Sequence, residues 1–219
     1  MTLKSGMDKS IGYRTSMTGR LAPAMLAMAM MAAGCGVSGT AQKHARIEIE
    51  EEVGFVITEE ARISNAVRAD YEEAVHLLEQ GQNARAMELL AKAAEQAPYL
   101  SAPRIDLGIA HHRDGVLVAA EVELQKALEI NPDHPVVHNE LGIVYRKSGR
   151  FVEARRNYEA ALAIYPGFHF ARRNLAILCD LYLGDMQCAL EHYQAYIATV
   201  PEDNEAEMWL ADVRNRMDQ

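Results

Sequence analysis

Glycine and proline recur through this chain at a nearly constant step, and this periodicity constrains its fold more than any other feature. Successive members of each series lie 34, 34 and 35 residues apart. The glycines are Gly81, Gly115, Gly149 and Gly184, and the prolines are Pro98, Pro132, Pro166 and Pro201. Such a period is typical of stacked helical units, each of which buries its apolar face only against its neighbours. The periodicity therefore indicates a binding scaffold rather than a catalytic domain.

The segment 135–168 represents one unit and contains two apolar runs with helical spacing. The first run ends at Gly149 and the second at Pro166. Glycine readily adopts the left-handed conformation that ends a helix, and proline cannot continue one, so the unit is predicted to be helix, turn, helix. The small residues Gly142 and Ala154 allow the two helices to approach closely.

This arrangement resembles the tetratricopeptide repeat. Leucine followed by glycine or alanine occupies the first helix of three units, and a bulky residue follows the alanine of every second helix by four positions. The leucine pairs are Leu107–Gly108, Leu141–Gly142 and Leu175–Ala176, and the bulky residues are Leu90, Leu124, Tyr158 and Tyr193. The resemblance implies an all-α fold, a right-handed superhelical solenoid of helix-turn-helix repeats.

The repeat domain is expected to span residues 59–219. The four repeats are predicted at about 67–100, 101–134, 135–168 and 169–203. The stretch after Pro201 has helical spacing of apolar residues and is predicted to form a C-terminal capping helix over about 204–217. Trp209 in that helix is expected to be a core residue.

The amino end carries a pattern typical of a secretory signal. Basic residues precede an uncharged run over residues 21–33, which is followed by Gly34 and Cys35. The box around Cys35 resembles the bacterial lipoprotein cleavage site, which implies a signal peptide over 1–34, an acylated Cys35 and a lipid anchor and tether over 35–58. By resemblance to Gram-negative lipoproteins, Gly36 after the cysteine implies an outer-membrane lipoprotein that faces the periplasm. The alternative is an ordinary cleaved signal with an incidental cysteine, and translation starts at either Met1 or Met17.

Charge argues against nucleic-acid partners. The full chain has a formal net charge of −9, and the chain without residues 1–34 would keep 18 basic and 30 acidic residues, about −12. An acidic body of this kind is repelled by nucleic acid and by anionic lipid headgroups.

Residues 45–58 partly alternate glutamate with apolar residues, which is compatible with a short strand or an extended arm. This arm either folds back on the first repeat or contacts a partner.

Cys179 and Cys188 lie in the fourth repeat, one late in its first helix and the other early in its second. Antiparallel helices joined at Gly184 would bring the two side by side, and an exported protein meets an oxidising compartment, so a disulfide is expected. Two buried free thiols are the alternative. Two thiols without a matched histidine pair do not complete a metal site.

We find no pattern that carries catalysis. The sequence lacks a glycine-rich phosphate loop, a nucleophile elbow and the paired histidines of zinc hydrolases. We therefore expect a protein that is not an enzyme and that uses no cofactor or metal. The acidic pairs along the chain are most simply solvated helix faces.

The resemblance places the ligand groove on the first helices of the repeats. It implies that an extended peptide or protein segment binds there, and that the asparagines together with Arg173 hydrogen-bond its backbone or a carboxylate. The candidate groove residues are Tyr71, His112, Arg113, Asn139, Arg146, Lys147, Arg173 and Asn174. The lysine of the family's clamp for acidic chain ends is missing, and Asp106 stands where that clamp has an asparagine.

A repeat scaffold on a lipid anchor is similar to the periplasmic accessory lipoproteins that assist envelope machines. The run at residues 174–185 together with the Trp209 helix resembles proteins that accompany TonB-like transport systems. The alternatives are a pilotin-like assembly factor for a type IV pilus secretin and an adaptor for cell-wall enzymes. The sequence does not name the partner, the groove residues that dominate affinity or the oligomeric state.

Overall fold

The computed structural model describes the backbone of residues 15–16, 46–52, 54–60 and 63–219, and side chains from residue 63 onward. Cys35 and almost all of the predicted signal peptide lie outside these residues. Three short strands precede the helices: β1 (Thr15–Ser16), β2 (Arg46–Glu52) and β3 (Gly54–Glu60). β2 pairs antiparallel with β3, with Arg46 opposite Glu60, and β1 pairs in parallel with β3 at Ile57 and Thr58. The strand alternative for residues 45–58 agrees with this pairing.

Helices make up the described chain from residue 65 to residue 217, as the all-α solenoid prediction requires. They are α1 (Asn65–Glu79), α2 (Asn83–Gln96), α3 (Ala102–Arg113), α4 (Leu117–Ile130), α5 (Pro135–Lys147), α6 (Phe151–Ile164), α7 (His169–Leu178), α8 (Met186–Thr199) and α9 (Asn204–Met217). Consecutive pairs pack together, and α9 packs against α8 at the carboxyl end. β3 continues past the boundary expected at residue 58, and the first helix begins at Asn65.

The turns inside the repeats are made by the four periodic glycines. Each has a positive φ, between 64° at Gly184 and 78° at Gly115, and a side chain at such an angle would strain the backbone. In the first three repeats the residue after the glycine donates a backbone hydrogen bond to the carbonyl five residues earlier, as Arg150 does to Tyr145 at 2.8 Å. This bond satisfies a carbonyl that the end of the helix would otherwise leave unpaired.

The core lies between the two helices of each repeat and continues from one repeat to the next. The bulky residues predicted from the family pattern, Leu90, Leu124, Tyr158 and Tyr193, are at most 1% exposed. The alanines one turn before them are fully buried. A Cβ atom added to Gly142 would lie 2.4 Å from Cε1 of Tyr158, so the close helix approach expected at this glycine is confirmed.

Trp209 is half-buried and packs against the edge of the hydrophobic core, so the expectation that it is a core residue holds in part. The centroid of its ring lies 5.9 Å from that of Tyr193, and Arg173 lies over the ring with Cζ 5.0 Å from its centroid. Trp209 belongs to α9, and within the described residues no further helix follows to cover it.

The fourth repeat differs from the others at the end of its first helix. α7 continues into a π-helical turn, Cys179–Leu183, before Gly184 ends it. The extra residue of the 35-residue step is accommodated in this turn. Cys179 and Cys188 form the predicted disulfide, with an S–S distance of 2.04 Å, which links the π-helical turn to the start of α8.

Candidate peptide-binding groove

The first helices of successive repeats, α1, α3, α5, α7 and the terminal α9, form the face that carries the predicted groove; we call it the groove face. α3 lies beside α5, and α5 beside α7. The eight candidate residues all belong to these helices but do not form one surface. Three are buried and join one repeat to the next, Arg173 contacts α9 and its N-cap, and four lie near the last turn of α3 or α5.

The two asparagines lie below the surface of the groove face. Asn139 is fully buried and Asn174 is 7% exposed. Asn174 donates from Nδ2 to Oδ1 of Asn139 at 3.0 Å, and Asn139 donates to Oε1 of the buried Glu140 at 3.2 Å. Their direct contact with a peptide, expected from the sequence, is therefore corrected. The pair connects α5 to α7, because a buried amide requires a partner for its polar atoms.

Tyr71 likewise serves the junction between repeats. It is 2% exposed, and its hydroxyl donates to Oδ2 of Asp106 at 2.7 Å across α1 and α3. The expectation that Tyr71 lines an open groove is corrected in the same way. Asp106 stands at the position where the family's clamp for acidic chain ends has asparagine. Its hydrogen bond with Tyr71 gives this aspartate a structural role between repeats.

Arg173 reaches toward the carboxyl end of the solenoid. Its Nε atom lies 3.7 Å from Oδ2 of Asp203, and its Nη2 atom lies 3.7 Å from Oε2 of Glu205. The hydroxyl of Tyr196 donates to Asp203 at 2.8 Å. Burial, together with this bond to Asp203, raises the pKa of Tyr196 to about 12. Arg173 thus faces α9 and two carboxylates. It does not form an anion-binding site together with Asn139.

The four remaining candidates, His112, Arg113, Arg146 and Lys147, stand near the last turns of α3 and α5. Nδ1 of His112 lies 3.8 Å from Oε2 of Glu140. Arg113 and Lys147 are exposed and occupy the same position in adjacent repeats, two residues before Gly115 and Gly149. Among the described residues, no carboxylate lies within 4.0 Å of Arg113, Arg146 or Lys147.

Arg146 differs from the two exposed cations because it is half-buried. Its Nε atom donates to the Tyr158 hydroxyl at 3.4 Å and its Nη1 atom to the Tyr182 hydroxyl at 3.5 Å. Its Cζ atom also lies 5.7 Å from the centre of the Tyr182 ring. Burial raises the pKa of Tyr158 to about 12, so this phenol is neutral near pH 7 and offers Arg146 a dipole rather than a charge.

Sequence reasoning missed two residues of this region, Leu181 and Tyr182. They belong to the π-helical turn and are 63% and 43% exposed, although both are large and apolar or aromatic. Tyr182 contacts Phe151 with a ring separation of 5.0 Å. The signal in the sequence was the step of 35 instead of 34 before Gly184, because an inserted residue rotates those that follow it around the helix axis.

The cysteine region also contains three potential metal-ligand atoms. Cys179, Asp185 and Cys188 place a sulfur or carboxylate oxygen each within 4.8 Å of the others. Both sulfurs are engaged in the disulfide, which leaves no thiolate to bind a metal. Within the helices that the structure describes, none combines the length and the hydropathy required to cross a bilayer.

Comparison with known proteins agrees with this geometry. Residues 99–167 match the family model of the tetratricopeptide repeat. The helical domain has the fold of a tetratricopeptide-repeat solenoid. No curated protein sequence matches the chain.

Three solved structures show the breadth of the likeness. The solenoid is similar to MamA from Desulfovibrio magneticus RS-1, with a TM-score of 0.64 and 21% identity over 72% of this chain and 88% of that one. It is similar to pilF of Pseudomonas aeruginosa, with a TM-score of 0.64 and 21% identity over 69% of each chain. It is also similar to the first repeat domain of Spaghetti (RPAP3) bound to an HSP90 peptide, with a TM-score of 0.52 and 19% identity over 54% of this chain and 94% of that one. At these identities the likeness shows the fold.

Proposed function

We propose that this protein is a non-enzymatic interaction scaffold whose groove face binds an extended segment of a partner protein. The observation that carries the proposal is the set of cations at the ends of α3 and α5. Arg113, Arg146 and Lys147 have no carboxylate partner among the described residues, although acidic residues outnumber basic ones, 31 to 22. Most other arginines of the repeats are ion-paired, as Arg104 is with Glu123 at 3.0 Å. A related fold that holds a peptide, the Spaghetti domain, makes this use plausible.

The scaffold is proposed to be tethered to the outer membrane and to face the periplasm. The support comes from the amino end, where a basic segment, an uncharged run and the box at Cys35 resemble a lipoprotein signal. The disulfide between Cys179 and Cys188 is a second, independent support, because such bonds persist in oxidising compartments. Acylation with more than one chain would hold the protein stably on a bilayer.

The partner is proposed to be a component of an envelope complex, with a TonB-like transport system as the first candidate. The support is the resemblance of the run at 174–185 and the Trp209 helix to proteins that accompany such systems. A type IV pilus secretin and a cell-wall enzyme are the other two partner classes. The three partner classes predict that different proteins are recovered with the tagged chain, so one purification distinguishes them.

The test is affinity purification of the epitope-tagged full chain from detergent-solubilised envelopes, with mass spectrometry of the bound proteins. A Cys35→Ser variant is the matched control for lipidation. We expect envelope transport components to be recovered with the parent protein and to be depleted with the variant. Secretin or wall-enzyme components would reassign the partner class. A protein that remains soluble and recovers only cytoplasmic proteins would contradict both the anchor and the envelope role.

A further inference from the structure

We propose that the region around the ends of α3, α5 and α7 is the principal recognition surface of the groove face, and that it takes an acidic protein segment carrying an apolar or aromatic anchor. We call this region the tip surface; it consists of Arg113, Arg146, Lys147, Leu181 and Tyr182. The inference rests on the proposed scaffold function and names the chemistry of its partner. It keeps three of the eight sequence-based candidates, Arg113, Arg146 and Lys147, and adds Leu181 and Tyr182.

The first argument is electrostatic. Arg146 is half-buried, and the described residues offer it two phenol oxygens at 3.4 and 3.5 Å but no carboxylate. A buried cation is normally paired, because its lost hydration is recovered only by strong hydrogen bonds or opposite charge. Glu140 is the acidic residue on the same helix, and its carboxylate is buried beside Asn139 and His112. Arg146 therefore has the environment of one half of an ion pair.

The second argument is that the two exposed cations reinforce Arg146 instead of balancing it. Lys147 adjoins Arg146 in sequence, and Arg113 holds the equivalent position one repeat earlier. Adjacent packed helices lie about 10 Å apart, so the three positive charges act within roughly one Debye length of each other. Cations in the last turn of a helix interact favourably with the helix dipole. This interaction accounts for the location of the three cations, but it does not supply a carboxylate partner. A ligand with several carboxylates would satisfy all three.

The third argument concerns the apolar part of the surface. Leu181 and Tyr182 are more exposed than large apolar residues usually are, and Tyr182 stands two residues before its turn glycine, as Arg113 and Lys147 do. Tyr182 contacts both Arg146 and Phe151, so the cationic and aromatic parts of the surface are continuous. An aromatic ring flanked by an arginine and an exposed leucine is a typical anchor site for a protein partner.

The same charges occur in sites for anionic membranes and nucleic acids, but the rest of the molecule disfavours those partners. The chain has a net charge of −9 and its cations at the tip surface are few. Polyanions with extended charge would meet the surrounding acidic surface, whereas a short acidic segment can contact the tip surface alone. We therefore assign the surface to a protein segment.

The test measures binding of a fluorescein-labelled peptide of glutamates with a central tyrosine to the full chain. The comparison peptide has glutamine in place of every glutamate. We expect the acidic peptide to bind with an affinity that falls with salt, and the glutamine peptide to bind about tenfold more weakly or worse. A Lys147→Gln variant should weaken the acidic peptide several-fold, and the triple variant Arg113→Gln, Arg146→Gln, Lys147→Gln should lower its affinity by about tenfold or more.

The matched control is Arg156→Gln. Arg156 is an exposed arginine on α6 of the same repeat that also lacks an ion pair among the described residues, so it changes net charge equally away from the tip surface. Leu181→Ser should weaken both peptides equally and leave the salt dependence unchanged, because it removes apolar contact and no charge. Melting temperatures of all variants establish that they are folded.

Several outcomes would overturn the proposal. These are equal binding of the two peptides, no binding of either one, an equal effect of Arg156→Gln and Lys147→Gln, and tighter binding to vesicles containing phosphatidylglycerol than to the acidic peptide. An envelope partner that is still recovered by the triple variant would refute the tip surface while leaving the scaffold function standing. A chain that recovers no envelope protein at all would refute the proposed function itself.

Discussion

The backbone N–H of Asp185 donates to the carbonyl oxygen of Cys179 at 2.9 Å, across six residues, whereas the equivalent bond in each of the other three repeats spans five. The wider hydrogen-bonded turn accommodates the extra residue of the fourth repeat, and the helix continues to Gly184. Cys179 is also a disulfide partner, so the π-helical turn is held both by its own backbone and by α8. The turn carries Tyr182 to Arg146 and Asp180 to Arg216.

Removal of the disulfide is expected to lower stability substantially. The bond closes a loop with a sequence separation of nine residues, and the chain-entropy estimate for such a loop is about 2–3 kcal/mol. We expect the Cys179→Ala, Cys188→Ala variant to show a free energy of unfolding lower by that amount. Urea denaturation followed by circular dichroism measures the difference.

Reductant provides the control for this prediction. Dithiothreitol should destabilise the parent protein toward the value of the double variant and leave the double variant unchanged. The disulfide would be contradicted if reductant left the urea midpoint of the parent protein unchanged and thiol titration found Cys179 and Cys188 as free thiols. That result would also remove one of the two supports for a periplasmic location.

The regular part of the fold follows from the sequence because it depends on local rules that repeat. A glycine that needs a positive φ, a proline that stops a helix and an alanine at a helix contact each act within one repeat, so four copies of the pattern predict eight paired helices. The fate of Asn139 and Asn174 was not predictable in this way. Whether a polar side chain on the groove face points to solvent or into the next repeat depends on packing between helices 35 residues apart.

Acid is expected to destabilise the protein through His134. This residue is 1% exposed and stands where the neighbouring repeats have Leu100 and Phe168. Burial, with a smaller contribution from His138, lowers the pKa of His134 to about 3. The unfolded chain binds a proton near pH 6.5 and the folded chain does not, so stability is fully present above pH 6.5 and falls as pH drops toward 3. At pH 5 the loss attributable to this residue is about 2 kcal/mol.

Replacement of His134 tests this assignment. His134→Leu should be more stable than the parent at every pH, and the difference should grow by about 2 kcal/mol between pH 7 and pH 5. Urea midpoints at pH 7, 6 and 5 provide the measurement. If the His134→Leu protein keeps the pH dependence of the parent, another group causes the acid sensitivity.

Gly142→Ala is expected to destabilise the third repeat by about 1–3 kcal/mol, because the added Cβ would overlap the fully buried ring of Tyr158. The equivalent pair in the first repeat is Ala74 with Leu90. We therefore expect Gly142→Ala combined with Tyr158→Leu to cost less than the sum of the two single changes. Thermal unfolding of the four proteins gives the coupling energy.

Gly149→Ala separates crowding from backbone strain in this series. A Cβ at Gly149 would meet nothing within 4 Å, but its φ is 76°. We expect a cost of about 1 kcal/mol that does not change when Tyr158 is replaced. Additive effects of Gly142→Ala and Tyr158→Leu would mean that the two helices shift apart freely, and the close approach would then not be a constraint on the fold.

The contact between Asp180 and Arg216 is expected to join the capping helix to the fourth repeat. The side chain of Asp180 is 6% exposed, and it accepts from Arg216 of α9 and lies 3.5 Å from the Tyr193 hydroxyl. Arg216→Gln would leave this carboxylate buried without its cation and should lower the free energy of unfolding. The measurement is the free energy of unfolding together with hydrogen exchange of α9 amides, which should accelerate.

The partner change distinguishes a true pair from general charge effects. Asp180→Asn combined with Arg216→Gln removes both charges and should recover part of the stability lost in Arg216→Gln alone, because a neutral amide is less costly to bury than an unpaired carboxylate. Arg214→Gln, at an exposed arginine on the same helix, should change stability by less than about 0.5 kcal/mol. The effects of Asp180→Asn alone and Arg216→Gln alone are compared with that of the double variant. If they are additive, α9 is held by its apolar contacts at Leu210 and Val213, and the ion pair contributes little to closing the solenoid.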